Sequence, residues 1–313
     1  MTTDRDQPLR RHLAAQADRL RAEYLRHGFS RDDYHLLVDR ADAITAAAAA
    51  MGVPPGALAA VRDSRNVLAS VLRLLEDPSS ATVAPTNAQV YEAALIIARL
   101  ARLTAEMRGA PAAWQRQLGA LLAELDAGSR QGAERLVLLE FAGICRASGI
   151  RIEPVGQDAG PIGAEITFED WTFAAVPAIA ESAGSVAQAA ARGCQSLRQL
   201  RRPGIVVIDA GSAMPDAPSL RRVGNDRTGE LEMQRHVDQF IIDQHDAMVR
   251  AVDTQFAFAA AVGAVLQTVN VSAGRVNFAA CYRVVNLCEP EDARAPRLRR
   301  FMERFSRPVN PVR

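Results

Sequence analysis

The sequence contains no lysine: all 37 basic residues in this chain of 313 residues are arginines. Lysine is ordinarily among the commonest residues, so its complete absence is unusual. The absence excludes enzymes that depend on a lysine side chain. Phosphate-loop NTPases need a lysine on the nucleotide phosphates, pyridoxal enzymes need one for the Schiff base, and protein kinases need one on a strand. The function of this chain therefore lies outside these three classes.

The sequence also has little net charge, few cysteines and no long apolar run. Its 36 acidic residues leave a net charge of +1, so any basic surface for nucleic acid must be local. The four cysteines lack the paired spacing of zinc sites, which favours reduced thiols and no bound metal. The N-terminus has no apolar signal core and no apolar run reaches about 18 residues, which favours a cytoplasmic protein without a membrane span.

Residues 1–128 are predicted to form an all-helical module of about five helices. Apolar residues from Leu13 to Leu25 recur at three- and four-residue spacing, as in a helix with one buried face. Ser30 and Asp33 form a capping-box pattern, which predicts a helix that begins after Ser30. Three further helices are predicted, after Pro54-Pro55, after Thr86 and over 111–125.

From residue 131 to residue 313 the pattern becomes that of an α/β domain. A helix that ends at Gly149 precedes three strand-length apolar runs, which turn residues separate from one another. The next helix covers about 185–201 and leads to IVVIDA, a continuous apolar strand of the kind buried inside a sheet. The predicted order is αβββαβ, with strands at 150–155, 164–168, 171–177 and at IVVIDA.

The remaining C-terminal residues are predicted to add further elements to this domain. The last helix has an apolar stripe beside its arginines, so we expect it to dock on the body of the protein or on a partner. The predicted additions are a polar loop (211–227), a long helix (about 229–252), two strands (near 257–271 and 275–286) and this last helix (about 291–305).

The segment from about 131 to 210 resembles the restriction-endonuclease-like, or PD-(D/E)XK, superfamily in its order of elements and in local patterns. In that family the first helix often carries a glutamate and the second strand supplies an acidic metal ligand. Glu140, in ERLVLLEFAG, and Glu165, in GAEITF, match these two positions, and Gln195, in RGCQSLRQL, lies on the helix that follows the strands. The resemblance implies that these three residues are candidate remnants of a catalytic site.

The family's (D/E)-x-K pair on the third strand is missing. In WTFAAVPAIAES its positions fall on Val176, Pro177 and Ala178. A nuclease of this type holds magnesium with two carboxylates, and its lysine orients the attacking water. The resemblance therefore implies a nuclease-like fold with a degenerate site and no cofactor. Magnesium enters only in the alternative in which Gln195 or Glu181 is a displaced catalytic group.

The sequence from Arg192 to Arg227 is locally basic, with seven arginines against three acidic residues. Arginine binds phosphate with two hydrogen bonds and stacks on bases, so this segment is a candidate nucleic-acid groove. The alternative is that an arginine-rich composition supplies ordinary solvated faces. The candidate residues for nucleic-acid binding are Arg192, Arg198, Arg201, Arg202, Arg221 and Arg222.

Two other constellations are better explained as solvated helix faces. Arg21 and His27 have the Arg-x5-His spacing of HEPN ribonucleases, but such spacing arises easily among so many arginines. His236 and His245 lie near acidic residues, yet their nine-residue separation points them in opposite directions on a helix. Neither pair is therefore taken as a catalytic or metal site.

Three functions remain open at this stage. The first is a non-catalytic nuclease-like protein that acts in assembly or nucleic-acid recognition, in a defence or DNA-processing complex. The second is a protein-interaction subunit that contacts a protein partner or another copy of itself, without nucleic acid. The third is a magnesium-dependent nuclease with displaced catalytic residues, and it ranks last because the motif is incomplete.

Overall fold

The computed structural model describes residues 29–76, 85–125, 130–155, 161–214, 221–223, 226–270 and 275–306, without the side chains of 221–227, 229–230 and 266–280. These residues form a mixed α/β structure with a helical N-terminal part. The predicted domain boundary at 128–131 stays a prediction. By its contacts the chain divides into two compact units, one of Met1–Arg102, Leu220–Gly229 and Gln267–Phe278, the other of Leu103–Ser219, Glu230–Leu266 and Ala279–Arg313.

Three of the four described N-terminal helices begin at the predicted positions, whereas the helix predicted after Pro54-Pro55 begins at Ala59, after a 3-10 turn over Pro55–Leu58. Ser30 Oγ accepts from the Asp33 amide at 3.2 Å and the Asp33 carboxylate accepts from the Ser30 amide at 2.7 Å, so both halves of the capping box are formed. The predicted helix over Leu13–Leu25 lies outside the described residues, as does the Arg21–His27 spacing. The described helices are α1 (Arg31–Ala50), α2 (Ala59–Glu76), α3 (Asn87–Met107) and α4 (Ala112–Glu124).

The predicted αβββαβ order is confirmed. Gly149 has a φ of +70°, the left-handed conformation predicted for the residue that ends the first of these helices. The strand bounds shift by at most two residues from the predicted ones. The elements are α5 (Arg130–Ala147), β1 (Arg151–Val155), β2 (Gly163–Phe168), β3 (Trp171–Ile179), α6 (Val186–Leu200) and β4 (Gly204–Asp209).

The predicted polar loop over 211–227 is wrong in its second half. Residues 221–223 form a short strand that pairs in parallel with Thr268–Asn270, a tertiary pairing that no local sequence pattern encodes. The predicted long helix, two strands and last helix are present. The C-terminal elements are β5 (Arg221–Val223), α7 (Asp226–Ala251), β6 (Ala257–Asn270), β7 (Arg275–Asn286) and α8 (Ala295–Phe305).

The sheet of the second unit is mixed and has helices on both faces. Its strand order is β1-β2-β3-β4-β6, with β7 beside β6; the first three strands are antiparallel, and β3, β4 and β6 are parallel. Alternate residues of each strand face opposite sides. On one side Val176 and Val206 pack with buried residues of α6 and α7, and we name this side the α6/α7 face. On the other, the α5/α8 face, Phe173 of β3 contacts Phe301 of α8, with ring centroids 5.3 Å apart.

The last helix docks on the body of the protein, which is the first of its two predicted roles. Leu298, Phe301 and Phe305 are buried, and Arg300 pairs with Glu169, in the turn between β2 and β3, at 2.9 Å. Apolar burial therefore holds this helix and the arginines orient it.

Within the described residues no helix is both long and apolar enough to cross a membrane.

Candidate functional site

Glu165 lies in the middle of β2, where Glu153 of β1 is its direct partner on one side and Ala174 of β3 on the other. Directly opposite residues of antiparallel strands place their side chains on the same face, so the two glutamates form a carboxylate pair at the edge of the α6/α7 face. Glu153 was missed in the sequence, because only the strand register brings it to Glu165.

Each of these two carboxylates is neutralised by an arginine. Arg202, which follows α6, makes an ion pair with Glu165, and Arg151 pairs with Glu153 at 2.7 Å. A magnesium ion needs the negative charge of at least one such carboxylate and several oxygen ligands. The guanidinium of Arg202 neutralises the carboxylate of Glu165, which is the acidic metal ligand that the family resemblance predicts on the second strand.

The missing (D/E)-x-K positions lie in a close-packed apolar core. Val176 and Ala178 are fully buried, and they share the α6/α7 face with Glu165 because they lie two and four residues beyond Ala174. Helix α6 packs directly on β4, the strand beside β3, since a Cβ added at Gly193 of α6 would clash with the side chain of Val206 of β4. This part of the face therefore has neither acidic side chains nor free volume for a metal ion and its water.

A shift of the strand register by one residue does not supply a metal site either. It would bring the side chains of the α5/α8 face into play, and there β2 and β3 present only apolar residues in the rows beside Glu165. These are Ala164, Ile166, Phe173 and Ala175, all buried. The two strands therefore carry one acidic candidate ligand, Glu165, whichever face is considered.

The other two catalytic candidates are not brought to Glu165. Glu140 is buried on α5 and accepts a hydrogen bond from the Tyr282 hydroxyl at 3.3 Å, on the opposite face of the sheet. Gln195 is exposed on the outer side of α6, next to the buried Cys194. Among the described residues no group of three His, Cys, Asp or Glu side chains is arranged to hold a metal ion. The residues present therefore do not fit magnesium.

Several arginines of the candidate nucleic-acid groove make contacts within the protein. Arg198 pairs with Asp253 at 2.7 Å, which lowers the pKa of that carboxyl, and it lies 5.5 Å from the Phe256 ring centre. Arg192 donates to the Ile179 carbonyl at 2.8 Å, and partial burial lowers the pKa of its guanidinium. The side chains of Arg221 and Arg222 lie outside the described residues. Arg201 and Arg202 are exposed at the end of α6, although Arg202 is shared with Glu165.

The polar residues of α7 are held by its neighbours. Asp238 accepts from Arg283 Nε at 3.1 Å, and His245 Nε2 lies 3.0 Å from the Asn286 carbonyl. These contacts account for the polarity of this helix without a metal ion.

All four cysteines are buried. Burial raises the pKa of Cys288 to about 11, even though Arg294 lies 3.4 Å from its Sγ and acts in the opposite direction. Burial likewise raises the pKa of Cys145 well above its ordinary value. The thiolate is the nucleophilic form of cysteine, so neither thiol is poised for catalysis near neutral pH.

We expect Cys288 to resist alkylation in the native protein. A thiol with a pKa near 11 is about 0.1% thiolate at pH 8, against about a quarter for an ordinary cysteine, so iodoacetamide should label it at least 100-fold more slowly. Because burial disfavours the thiolate in the folded protein, this pKa shift lowers the free energy of unfolding as the pH rises from about 8.5 toward 11 and has no effect below about pH 8.5. Mass spectrometry of timed samples measures the rate, with urea-unfolded protein as the fully reactive control. Rapid labelling of folded protein at pH 8 would contradict this expectation.

Comparison with known proteins adds no relative to this picture. No protein-family model, curated protein or solved structure matches the chain. The candidate site is therefore described by its own geometry: an arginine-neutralised carboxylate pair at the sheet edge beside an apolar core and exposed arginines at the end of α6.

Proposed function

We propose that this chain is a nuclease-like protein that acts by binding, in assembly or nucleic-acid recognition, and not by metal-dependent cleavage. The observation that carries the proposal is the burial of Val176 and Ala178 beneath α6, on the same face as Glu165. The αβββαβ order and the acidic residue on the second strand support a restriction-endonuclease-like ancestry.

The Glu165–Arg202 ion pair supports the loss of catalysis independently of the third strand. Arginine stays protonated at all physiological pH values, so Arg202 does not accept a proton from the attacking water and does not replace the lysine of the resembled family. Its charge also disfavours a divalent cation at the same carboxylate by direct repulsion. A site that has exchanged a metal for a guanidinium keeps its fold and loses its hydrolytic chemistry.

The end of α6 supports nucleic-acid recognition as the binding function. Arg201 and Arg202 are exposed here, directly after the last helical residue, Leu200, and Arg198 lies in the last turn of the helix. Guanidinium groups at such a corner suit the phosphate backbone of a nucleic acid, which binds by charge and without sequence preference. The alternative is binding of another protein, which the exposed apolar side chains of α7 favour.

The test uses the full chain with DNA and RNA oligonucleotides. We expect no cleavage of either nucleic acid in the presence of magnesium. We also expect binding, measured by fluorescence anisotropy, that weakens as the salt concentration rises. Arg201→Glu should weaken binding about 10-fold and flatten the salt dependence, because it removes one phosphate contact and adds a repulsion. Arg299→Glu makes the same charge change at an exposed position of α8 and should have little effect.

The outcomes separate the three open functions. Magnesium-dependent turnover that Glu165→Ala abolishes would overturn the non-catalytic proposal. Absence of binding to both DNA and RNA up to about 100 μM would exclude nucleic-acid recognition and leave the protein-interaction alternative. Equal weakening by Arg201→Glu and Arg299→Glu would show that binding follows net charge alone and has no site at the end of α6.

A further inference from the structure

The outward side of α7 carries two large exposed apolar residues. Leu231 is 50% exposed and Ile242 is 69% exposed, whereas the opposite side of the helix is buried through residues such as Val237 and Phe240. Leu231 and Ile242 are eleven residues apart, which at 100° per residue separates them by only about 20° around the helix. They therefore mark the two ends of one line about 16 Å long on the helix surface.

Two oppositely charged residues lie between them on the same line. From Leu231 the line passes through Arg235 and Asp238 to Ile242, with spacings of four, three and four residues. This is the alternating spacing of positions that face a partner helix in a coiled coil. All four residues are exposed, and we name them the α7 stripe.

We propose that the α7 stripe pairs with the α7 stripe of a second copy of this chain, antiparallel, about a twofold axis between residues 236 and 237. In this arrangement Leu231 meets Ile242 of the second copy and Arg235 meets Asp238 of the second copy. The twofold axis repeats each contact, so two apolar contacts flank two ion pairs. A parallel pairing in register would instead oppose Arg235 to Arg235 and Asp238 to Asp238, so the charges select the antiparallel orientation.

The Asp238 carboxylate is held in place on the surface of α7 by Arg283. Its Oδ1 accepts from Arg283 Nε at 3.1 Å, which fixes the carboxylate while the side chain stays half-exposed. A contact of about three helical turns buries less surface than the roughly 1,200 Å² of a stable complex. The dimer is therefore weak and dependent on protein concentration. The stripe contains no residue of the Glu165 region, so this inference stands apart from the proposed function.

Sedimentation equilibrium of the full chain tests whether the dimer forms. We expect a monomer–dimer equilibrium for the wild type between about 1 and 500 μM, and a monomer over the same range for Ile242→Glu. Leu36→Glu is the matched control, because Leu36 is a large apolar residue that is 47% exposed on another helix, α1, and this variant should dimerise like the wild type. Circular dichroism checks that each variant is folded.

A charge exchange tests the orientation. Arg235→Glu and Asp238→Arg should each weaken dimerisation at least about 10-fold, because each variant opposes like charges at both ion pairs. An equimolar mixture of the two variants should recover wild-type affinity, since the mixed dimer opposes unlike charges at both positions.

Three results would overturn the proposal. They are a wild type that stays monomeric at about 500 μM, dimerisation of Ile242→Glu like the wild type, and a mixture of the charge variants that associates no better than either alone. If the mixture fails to associate while Ile242→Glu is still monomeric, two copies meet through this helix in another orientation, and the antiparallel pairing is excluded.

Discussion

Val176→Asp is expected to lower the free energy of unfolding by at least about 4 kcal/mol, which is a large part of the total stability of an ordinary domain. Val176 is fully buried among apolar residues of β4 and α6, so the new carboxylate would have neither water nor a cation beside it. Urea denaturation followed by circular dichroism measures the change.

The pH dependence of this variant separates its charge from its shape. Burial would raise the pKa of the new carboxyl above its unfolded value of about 3.9, so the destabilisation grows as the pH rises from 4 to 7. Val176→Thr is the matched control, because it keeps the volume and adds a polar group without a charge. We expect it to cost about 1–3 kcal/mol at both pH values.

The double variant Val176→Asp with Ala178→Lys recreates the acid-x-lysine pair of the resembled family. We expect it to be less stable than Val176→Asp or equal to it, and to cleave no DNA or RNA with magnesium, because the core beneath α6 has no room for a hydrated ion. A folded double variant with magnesium-dependent cleavage would contradict this expectation and would show that an acid and a lysine at these two positions are enough for nuclease activity in this fold.

Gly204→Ala is expected to cost about 3 kcal/mol, at the upper end of the range for overpacked sites. A Cβ at this position would lie 2.7 Å from the Ala174 carbonyl carbon and 2.8 Å from Leu197 Cδ2. The first neighbour is backbone of the adjacent strand, which cannot move without breaking the ladder between β3 and β4. The Gly204 amide is also committed, because it donates to the Phe256 carbonyl at 2.7 Å.

Gly56→Ala is the control for this substitution. A Cβ at Gly56 meets nothing within 4 Å, so we expect a change below about 0.5 kcal/mol. Thermal and urea unfolding of both variants measure the difference. A Gly204→Ala protein as stable as the wild type would mean that β3 and β4 are less closely packed than the structure shows.

Much of the element order could be predicted because its signals are local. The capping box of Ser30 and Asp33 and the left-handed Gly149 each act within one helical turn. The apolar strand IVVIDA is buried on both faces, and its continuous apolar run predicted that position. The three-residue strand β5 was missed because it pairs with the distant residues Thr268–Asn270, and no local pattern signals that pairing.

The candidate site could be predicted only in part. Glu165 on the second strand and the apolar residues Val176 and Ala178 on the third could be predicted, because alternation along a strand depends on sequence alone. Arg202 was identified as a basic residue, but its pairing with Glu165 depends on how α6 returns to the sheet. The separation of Glu140 and Gln195 from Glu165 also had no local signal, since Glu140 lies on the opposite face of the sheet and Gln195 on the outer side of α6.

By itself the sequence determined that no lysine chemistry is present, that a helical part precedes an αβββαβ segment, and that the third strand carries no acid-x-lysine pair. The tertiary structure alone decided that Glu153 faces Glu165, that an arginine neutralises each of them, and that Val176 and Ala178 lie beneath α6. The physical reason is that composition and periodicity act over a few residues, whereas strand register and the crossing of a helix over a sheet join residues far apart in the chain.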